Sequence, residues 1–131
     1  TTMRPIMLDE ELNHVQIMLD TAHISYELKT EVPLENVPQF IQNIFSMCLK
    51  EAVTNIVKHS EATACKIILK EEKGAWILKI KDNGKGIPPV IETGHGLKGM
   101  VERTSFVNGT VEWVNQQGAC ITIAIPNIIS G

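Results

Sequence analysis

The sequence has few cysteines, and their spacing does not suit a fold held together by disulfides or by a metal ion. The three cysteines, Cys48, Cys65 and Cys120, are odd in number, far apart and each embedded in an apolar run. That arrangement favours reduced thiols in a core over disulfides. The sequence also lacks any Cys-x-x-Cys or His-x-x-x-His pair, so we expect no zinc site.

Long apolar runs and concentrated positive charge are missing as well. No run approaches the roughly 20 residues of a membrane helix, and no segment has the pattern of a signal peptide, so we expect no direct membrane contact. The formal net charge is −3, with both signs scattered along the chain, so we expect no nucleic-acid partner. At 131 residues and 44% hydrophobic content, residues 1–131 are expected to form one domain with a core.

Hydrophobic periodicity predicts three helices and five strands. Apolar residues recur at helical spacing over residues 8–22, from about 38 to 59, and from about 97 to near 108. Alternating runs predict strands at 24–31, 64–71, 75–82, 110–114 and 120–126. The short connection EKG between the second and third of these strands is typical of a hairpin. Hairpins with helices returning to one face indicate an α+β two-layer sandwich.

The second predicted helix carries four polar side chains along one edge. At about 100° per residue, Glu51, Asn55, Lys58 and His59 fall within a stripe beside the apolar face of the segment EAVTNIVKHS. A solvated helix face gives the same pattern, because Glu-to-Lys spacings are common there. On this helix alone, a binding edge and a solvated face both remain open.

Two glycine-rich segments border a long predicted loop between residues 83 and 95. DNGKGI, residues 82–87, ends a strand with an acid and two glycines, which is also ordinary turn chemistry. TGHGLKGM, residues 93–100, places three glycines at the start of a helix, where backbone N–H groups and the helix dipole favour an anion such as phosphate. The Rossmann context and the Walker lysine-hydroxyl pair are both missing, so a nucleotide would bind in neither of those ways.

These three segments, in this order, resemble the N box, G1 box and G2 box of the GHKL ATP-binding superfamily. The resemblance spans about residues 24–126, and EAVTNIVKHS with GHGLKGMVER looks like the catalytic ATP-binding domain of a bacterial sensor histidine kinase of the NarL or DesK type. It implies the Bergerat fold, a mixed sheet with three main helices on one face. It also implies that residues 1–7 are a linker from a preceding dimerisation domain.

The resemblance implies a role for each candidate site residue. The Asp82 carboxylate would accept a hydrogen bond from the adenine amino group, and a fixed acceptor there distinguishes adenine from guanine. Asn55 would bind Mg²⁺ through its amide oxygen, and Lys58 would neutralise phosphate charge. His59 would contact the nucleotide or, alternatively, cap the helix end. The other residues implied to contact ATP are Gly84, Gly86, Ile87, Gly94, His95, Gly96, Leu97 and Gly99.

Two positions leave questions open. The glutamate that matches Glu51 is the general base for water in GHKL ATPases, whereas in a kinase it would orient a metal-bound water or the attacking imidazole. Where many relatives have Gly-Thr, this chain has Gly118 and Ala119. The hydroxyl of the adenine network is therefore missing, and Asp82 would depend on a water or on Thr122.

The implied function is that of a protein-histidine kinase domain in a two-component system. It would bind Mg-ATP and transfer the γ-phosphate to a histidine on a separate dimerisation domain, from which a response regulator receives it. The four histidines lie outside any acid-rich acceptor pattern. The resemblance further implies a cytoplasmic location and a monomeric isolated domain. The alternatives are a GHKL serine kinase of the anti-sigma-factor type, which GHGLKGMVER disfavours, and a domain that binds nucleotide without transfer.

Overall fold

The computed structural model describes residues 7–86 and 96–127. Its three α-helices are α1 (Leu8–Thr21), α2 (Gln39–Asn55) and α3 (Leu97–Ser105). Its five strands are β1 (Ser25–Thr30), β2 (Ala64–Glu72), β3 (Ala75–Asp82), β4 (Thr110–Asn115) and β5 (Ala119–Pro126). A short 3₁₀ turn at Leu34–Asn36 precedes α2, and a π-helical turn at Ile56–Ser60 follows it. Each predicted helix and strand is present. The second and third α-helices end earlier than predicted, at Asn55 and Ser105, and the other ends agree with the prediction to within one residue.

The strands form one mixed sheet in the order β1-β2-β3-β5-β4. The β1–β2 pair is parallel and the other three pairs are antiparallel. The hairpin between β2 and β3 turns at Lys73 and Gly74, both with positive φ, as a tight turn between twisted strands requires. The α+β class and the mixed sheet predicted from the sequence are confirmed.

The core lies between the helices and one face of the sheet. Side chains of a strand alternate between its two faces, and alternate residues of β2, β3 and β5 are buried. Among these inward residues are Ile67, Leu69, Leu78, Ile80, Ile121, Ile123 and Ile125. Helix α2 contributes Phe45, Leu49 and Val53 to the same core and contacts both α1 and α3. This arrangement is the predicted two-layer sandwich.

None of the helices within the described ranges is both long and apolar enough to traverse a lipid bilayer.

Candidate functional site

A cavity of about 510 Å³ lies between the end of α2, the end of β3 and the start of α3. This volume is typical of small-molecule sites, which span about 300–1,000 Å³. Its apolar wall consists of Ala52, Ile56, Ile80, Leu97, Ala119 and Ile121. Gly86 and six polar side chains complete the wall, the latter being Asn55, His59, Ser60, Asp82, Lys85 and Asn115. An apolar slot with a few polar groups suits a flat, largely apolar ligand with polar edges.

Asp82 supplies a buried carboxylate to this wall. It continues the inward alternation of Leu78 and Ile80 along β3, so the period of the strand directs it into the cavity. Only 5% of the residue is exposed, and its Oδ1 accepts the backbone N–H of Gly84 at 2.7 Å. A carboxylate in an apolar wall needs hydrogen-bond donors. Asp82 is therefore a fixed acceptor, suited to an amino group at one end of a heterocycle.

The charge on Asp82 also affects a neighbouring thiol. Cys65 pairs with Asp82 across β2 and β3. Burial, together with the nearby carboxylate, raises the pKa of the Cys65 thiol to about 12. Burial also raises the pKa of the Cys48 thiol to about 12, although Arg103 opposes the shift. Both residues are buried, as predicted, and both thiols stay neutral, so neither is suited to act as a nucleophile. Cys120 is only partly buried, so the predicted core position is not confirmed for that residue.

Asn83 anchors the loop that follows Asp82. Its Oδ1 accepts the backbone N–H groups of Thr63 and Ala64, at 2.9 and 3.0 Å, and its Nδ2 donates to the Thr63 hydroxyl at 2.9 Å. These bonds tie the end of β3 to the start of β2. The DNG segment is thus a turn, as its composition predicts, and also a rigid support for the carboxylate before it.

Gly118 allows the β4–β5 turn to pack directly on Asp82. Its φ of +125° lies in a region that other residues rarely adopt. A Cβ at this position would lie 2.7 Å from the Asp82 carbonyl carbon and 2.8 Å from Asn83 Cα. The neighbouring Ala119 then lines the cavity. The missing side chain therefore lets β5 form the wall opposite α2.

The end of α2 departs from the sequence prediction. The sequence pattern predicts one α-helix that continues to His59, but α-helical geometry stops at Asn55 and the next five residues form a π-helical turn. The spacing of about 100° per residue therefore does not extend to Lys58 and His59, and the predicted four-residue stripe is wrong in that respect. Single π turns often occur at functional sites. Here the turn brings His59 and Ser60 into the cavity wall.

The predicted polar residues of this helix consequently separate. Asn55 and His59 line the cavity, whereas Lys58 is exposed and lies outside the wall. Glu51 is half-buried and also outside the wall. It packs instead against the N-terminus of α3, where a Cβ on Gly96 would lie 2.5 Å from its carboxyl carbon. The helix thus contributes to the cavity on one side and supports α3 on the other.

The glycine-rich segments meet this same region in part. Gly96 is the N-cap of α3 with a φ of +81°, and Leu97 after it lines the cavity. Gly86 lines the cavity. Gly84 lies in the chain between the wall residues Asp82 and Lys85 and is not itself part of the wall. Gly99 lies within α3 and is also outside the wall. The predicted residues Ile87, Gly94 and His95 lie outside the described residues.

Three polar wall residues were not predicted from the sequence. Ser60, Lys85 and Asn115 line the cavity. Lys85 is 63% exposed and its Nζ lies 4.0 Å from the Glu61 carboxylate. Asn115 is the last residue of the alternating strand β4 and lies outside the three motif segments. Ser60 ends the segment EAVTNIVKHS, where the prediction assigned roles only to Glu51, Asn55, Lys58 and His59.

Thr122 does not replace the missing hydroxyl at residue 119. It pairs with Lys79 and Glu112 on the face of β5 opposite to the buried residues Ala119 and Ile121. The prediction that Thr122 could assist Asp82 is therefore wrong, because successive side chains of a strand point to opposite faces.

A family model and two curated relatives match most of the chain. Residues 41–128, more than half of the chain, match the family described as histidine kinase-, DNA gyrase B- and HSP90-like ATPase. Sensor histidine kinase DesK of Bacillus subtilis is 39% identical over 129 residues, which cover 97% of this chain and 35% of DesK. Sensor histidine kinase YvfT of the same organism is 36% identical over 126 residues, covering 96% and 34%. The chain thus spans about a third of the length of these relatives.

Solved structures support the fold. Histidine kinase AdeS of Acinetobacter baumannii superposes with a TM-score of 0.72 at 24% identity, covering 92% of this chain and 63% of that chain. The catalytic domain of histidine kinase ThkA has a TM-score of 0.70 at 17% identity, covering 97% of both chains.

Proposed function

The chain belongs to the family of histidine kinase-, DNA gyrase B- and HSP90-like ATPases, and on this premise we propose that it is the catalytic ATP-binding domain of a sensor histidine kinase. The observation that carries the proposal is a single cavity bounded by Asp82, Asn55 and Leu97. These residues come from the three segments that resemble the N, G1 and G2 boxes. A family ATPase needs all three segments at one ligand, and the cavity supports that requirement.

The purine end of ATP is assigned to the apolar part of the cavity. The wall residues Ile56, Ile80 and Ile121 offer flat contact surface, and the Asp82 carboxylate offers an acceptor to the amino group of adenine. Guanine carries a carbonyl oxygen at that position, and two acceptors facing each other leave both without a donor. The carboxylate acceptor of the cavity therefore fits adenine rather than guanine.

The phosphate end is assigned to the residues around the π turn and the start of α3. Asn55 would hold Mg²⁺ through its amide oxygen, since Mg²⁺ prefers oxygen ligands. Phosphate oxygens and water would supply the remaining ligands. His59 lines the cavity near Asn55 and would contact the phosphates or ribose. Lys58 is exposed and would act as a mobile cation near the phosphates rather than as part of the wall. The backbone of Gly96 and Leu97 would approach the phosphates at the N-terminus of α3.

The reaction supplied by bound Mg-ATP is phosphoryl transfer, which depends mainly on positioning and charge stabilisation. Asp82 and the apolar wall would fix the base, and Asn55 would fix the metal. Glu51, packed against Gly96, would orient a metal-bound water or the attacking imidazole from beside α3. The acceptor is a histidine on a dimerisation domain of the same protein, and a response regulator is the next partner. We place this domain in the cytoplasm, monomeric when isolated.

Two results support the kinase assignment. The similar proteins DesK and YvfT are sensor histidine kinases, and this chain corresponds to about a third of their length. We therefore assign the acceptor histidine to a separate domain.

Calorimetric ATP binding with and without Mg²⁺ tests the proposal. Wild type should bind ATP at millimolar concentration or below, and Asn55→Ala should lose the increase in affinity that Mg²⁺ provides. Asn43→Ala is a matched control, because Asn43 is half-buried on the same helix and lies outside the cavity wall. Failure of wild type to bind any adenine nucleotide at millimolar concentration would refute the proposal.

The transfer step requires a second assay. Labelled ATP and this domain are incubated with a purified dimerisation domain that carries the acceptor histidine, and acid-labile phosphate on that histidine is the expected product. Binding of ATP without labelling of any histidine would leave nucleotide binding intact and refute the kinase assignment.

A further inference from the structure

The side chain of Ser60 closes the helical segment at the cavity. Its hydroxyl donates to the Ile56 carbonyl at 2.8 Å and accepts the N–H of Ala62 at 3.1 Å. In an α-helix the Ile56 carbonyl would accept the backbone N–H of residue 60, but a π turn pairs residues five apart. The hydroxyl thus takes the position of a backbone donor. Only 8% of Ser60 is exposed, so water is a poor substitute for these bonds.

The backbone carbonyl of Ser60 holds the loop after β3. It accepts the N–H of Lys85 at 2.8 Å. Gly84 packs so closely on it that an added Cβ would lie 2.8 Å from the Ser60 Cβ and closer still to the carbonyl oxygen. The N–H of Gly84 in turn donates to Oδ1 of Asp82. Consecutive contacts therefore lead from the end of α2, through Ser60 and Gly84, to the carboxylate.

We propose that Ser60 is a positioning residue for nucleotide recognition: it sets the position of the Asp82 carboxylate relative to Asn55 and His59. The helical side of the cavity carries the latter two residues, and the loop side carries Asp82. Ser60 belongs to the wall and bonds to both sides. This inference deepens the proposed function and rests on it. Loss of the Ser60 hydroxyl should loosen the π turn and shift the loop, so that base recognition weakens.

Thr104 provides a matched control for a purely structural role. Its hydroxyl donates to the Met100 carbonyl, four residues back, at 2.8 Å, and its own carbonyl accepts the N–H of Gly109 at 2.8 Å. It is fully buried near the end of α3 and does not line the cavity. The Thr104 hydroxyl also lies 3.1 Å from the Val101 carbonyl. Thr104 and Ser60 therefore both bond through the hydroxyl to the carbonyl four residues back and accept a later backbone N–H at their own carbonyl, and of the two only Ser60 lies beside the cavity.

The test compares Ser60→Ala with Thr104→Val by thermal melting and by calorimetric binding of ATP and of GTP. Both variants should melt a few degrees below wild type, since each loses a buried hydroxyl and its hydrogen bonds. Ser60→Ala should raise the Kd for ATP about tenfold and reduce the ratio of GTP Kd to ATP Kd. Thr104→Val should keep both quantities within about twofold of wild type, which is the scatter expected for a site remote from the ligand. Ser60→Thr, which keeps the hydroxyl, should restore the base preference.

Equal ATP affinity and equal base preference in Ser60→Ala and Thr104→Val would overturn the inference. If Ser60→Ala does not fold, Gly84→Ala tests the same contact from the loop side, and wild-type ATP affinity in that variant would overturn it. Failure of wild type to bind ATP is a different result, which refutes the proposed function itself.

Discussion

Replacing Gly118 by alanine should damage the site through the backbone alone. Gly118 has a φ of +125°, and an added Cβ would lie 2.7 Å from the carbonyl carbon of Asp82. Ordinary contact begins at about 3.4 Å, and the added Cβ would lie closer still to the Asp82 carbonyl oxygen. The β4–β5 turn and the end of β3 must therefore separate by well over about 0.7 Å. Because the side chain of Asp82 follows its backbone, the carboxylate should move with that separation.

A second glycine, Gly74, separates the conformational cost of the substitution from the cost of the clash. Gly74 also has a positive φ, +76°, but no atom lies within 4 Å of its would-be Cβ. Gly74→Ala should therefore cost only the conformational term, about 1–2 kcal/mol. Gly118→Ala should add a clash of the kind seen on overpacking, about 1–3 kcal/mol. The expected totals are about 1–2 kcal/mol for residue 74 and about 2–5 kcal/mol for residue 118.

Denaturant unfolding and ATP titration of both variants measure these terms. Gly74→Ala should bind ATP like wild type, because the β2–β3 turn lies outside the cavity wall. Gly118→Ala should lose more stability and at least about tenfold in ATP affinity, the equivalent of about 1.4 kcal/mol. Equal losses of stability, with unchanged ATP binding in both, would refute the argument that this close approach fixes Asp82.

Two further predictions concern the core. Ser46 on α2 is 2% exposed and, within the described ranges, its hydroxyl is the buried side-chain group without a hydrogen-bond partner. Ser46→Ala should therefore raise the free energy of unfolding by about 0.5–2 kcal/mol, as measured by urea unfolding; a loss of stability would contradict this. A chromogenic thiol reagent at pH 8 should label one cysteine of native protein, Cys120, and three after unfolding, because the pKa of the Cys48 and Cys65 thiols is raised to about 12. In the folded protein the raised pKa favours the neutral form of these two thiols. The free energy of unfolding that they contribute is therefore fully present below the unfolded pKa of about 8.5 and is lost as the pH rises toward 12. Rapid labelling of two or three native thiols would contradict the burial.

The sheet could be predicted from the sequence because its patterns are local. The alternation in β3 and β5 specifies both the strand and its buried face, and β3 runs over the predicted residues 75–82. Asp82 therefore faces the core by parity alone. The same parity count also excludes Thr122, since it lies three positions from Ala119 and so on the other face of β5.

The end of α2 could not be predicted in the same way. Residues 56–60 have the apolar and polar spacing of an α-helix, and α and π turns share their local preferences. Part of what holds the π turn in place lies elsewhere in the sequence, since the Ser60 carbonyl accepts the N–H of Lys85, 25 residues on. Ser60 and Asn115 were missed for this reason, because their roles depend on contacts between distant segments.

Nucleotide binding by wild type and Asp82→Asn tests the central claim most directly. The claim is that a buried carboxylate in the cavity recognises the amino group of adenine. Wild type should bind ATP more tightly than GTP, and Asp82→Asn should weaken ATP binding by tenfold or more, about 1.5–3 kcal/mol for a charged hydrogen bond, with a smaller effect on GTP. Similar affinities of wild type for ATP and GTP, or unchanged ATP binding in Asp82→Asn, would contradict the account.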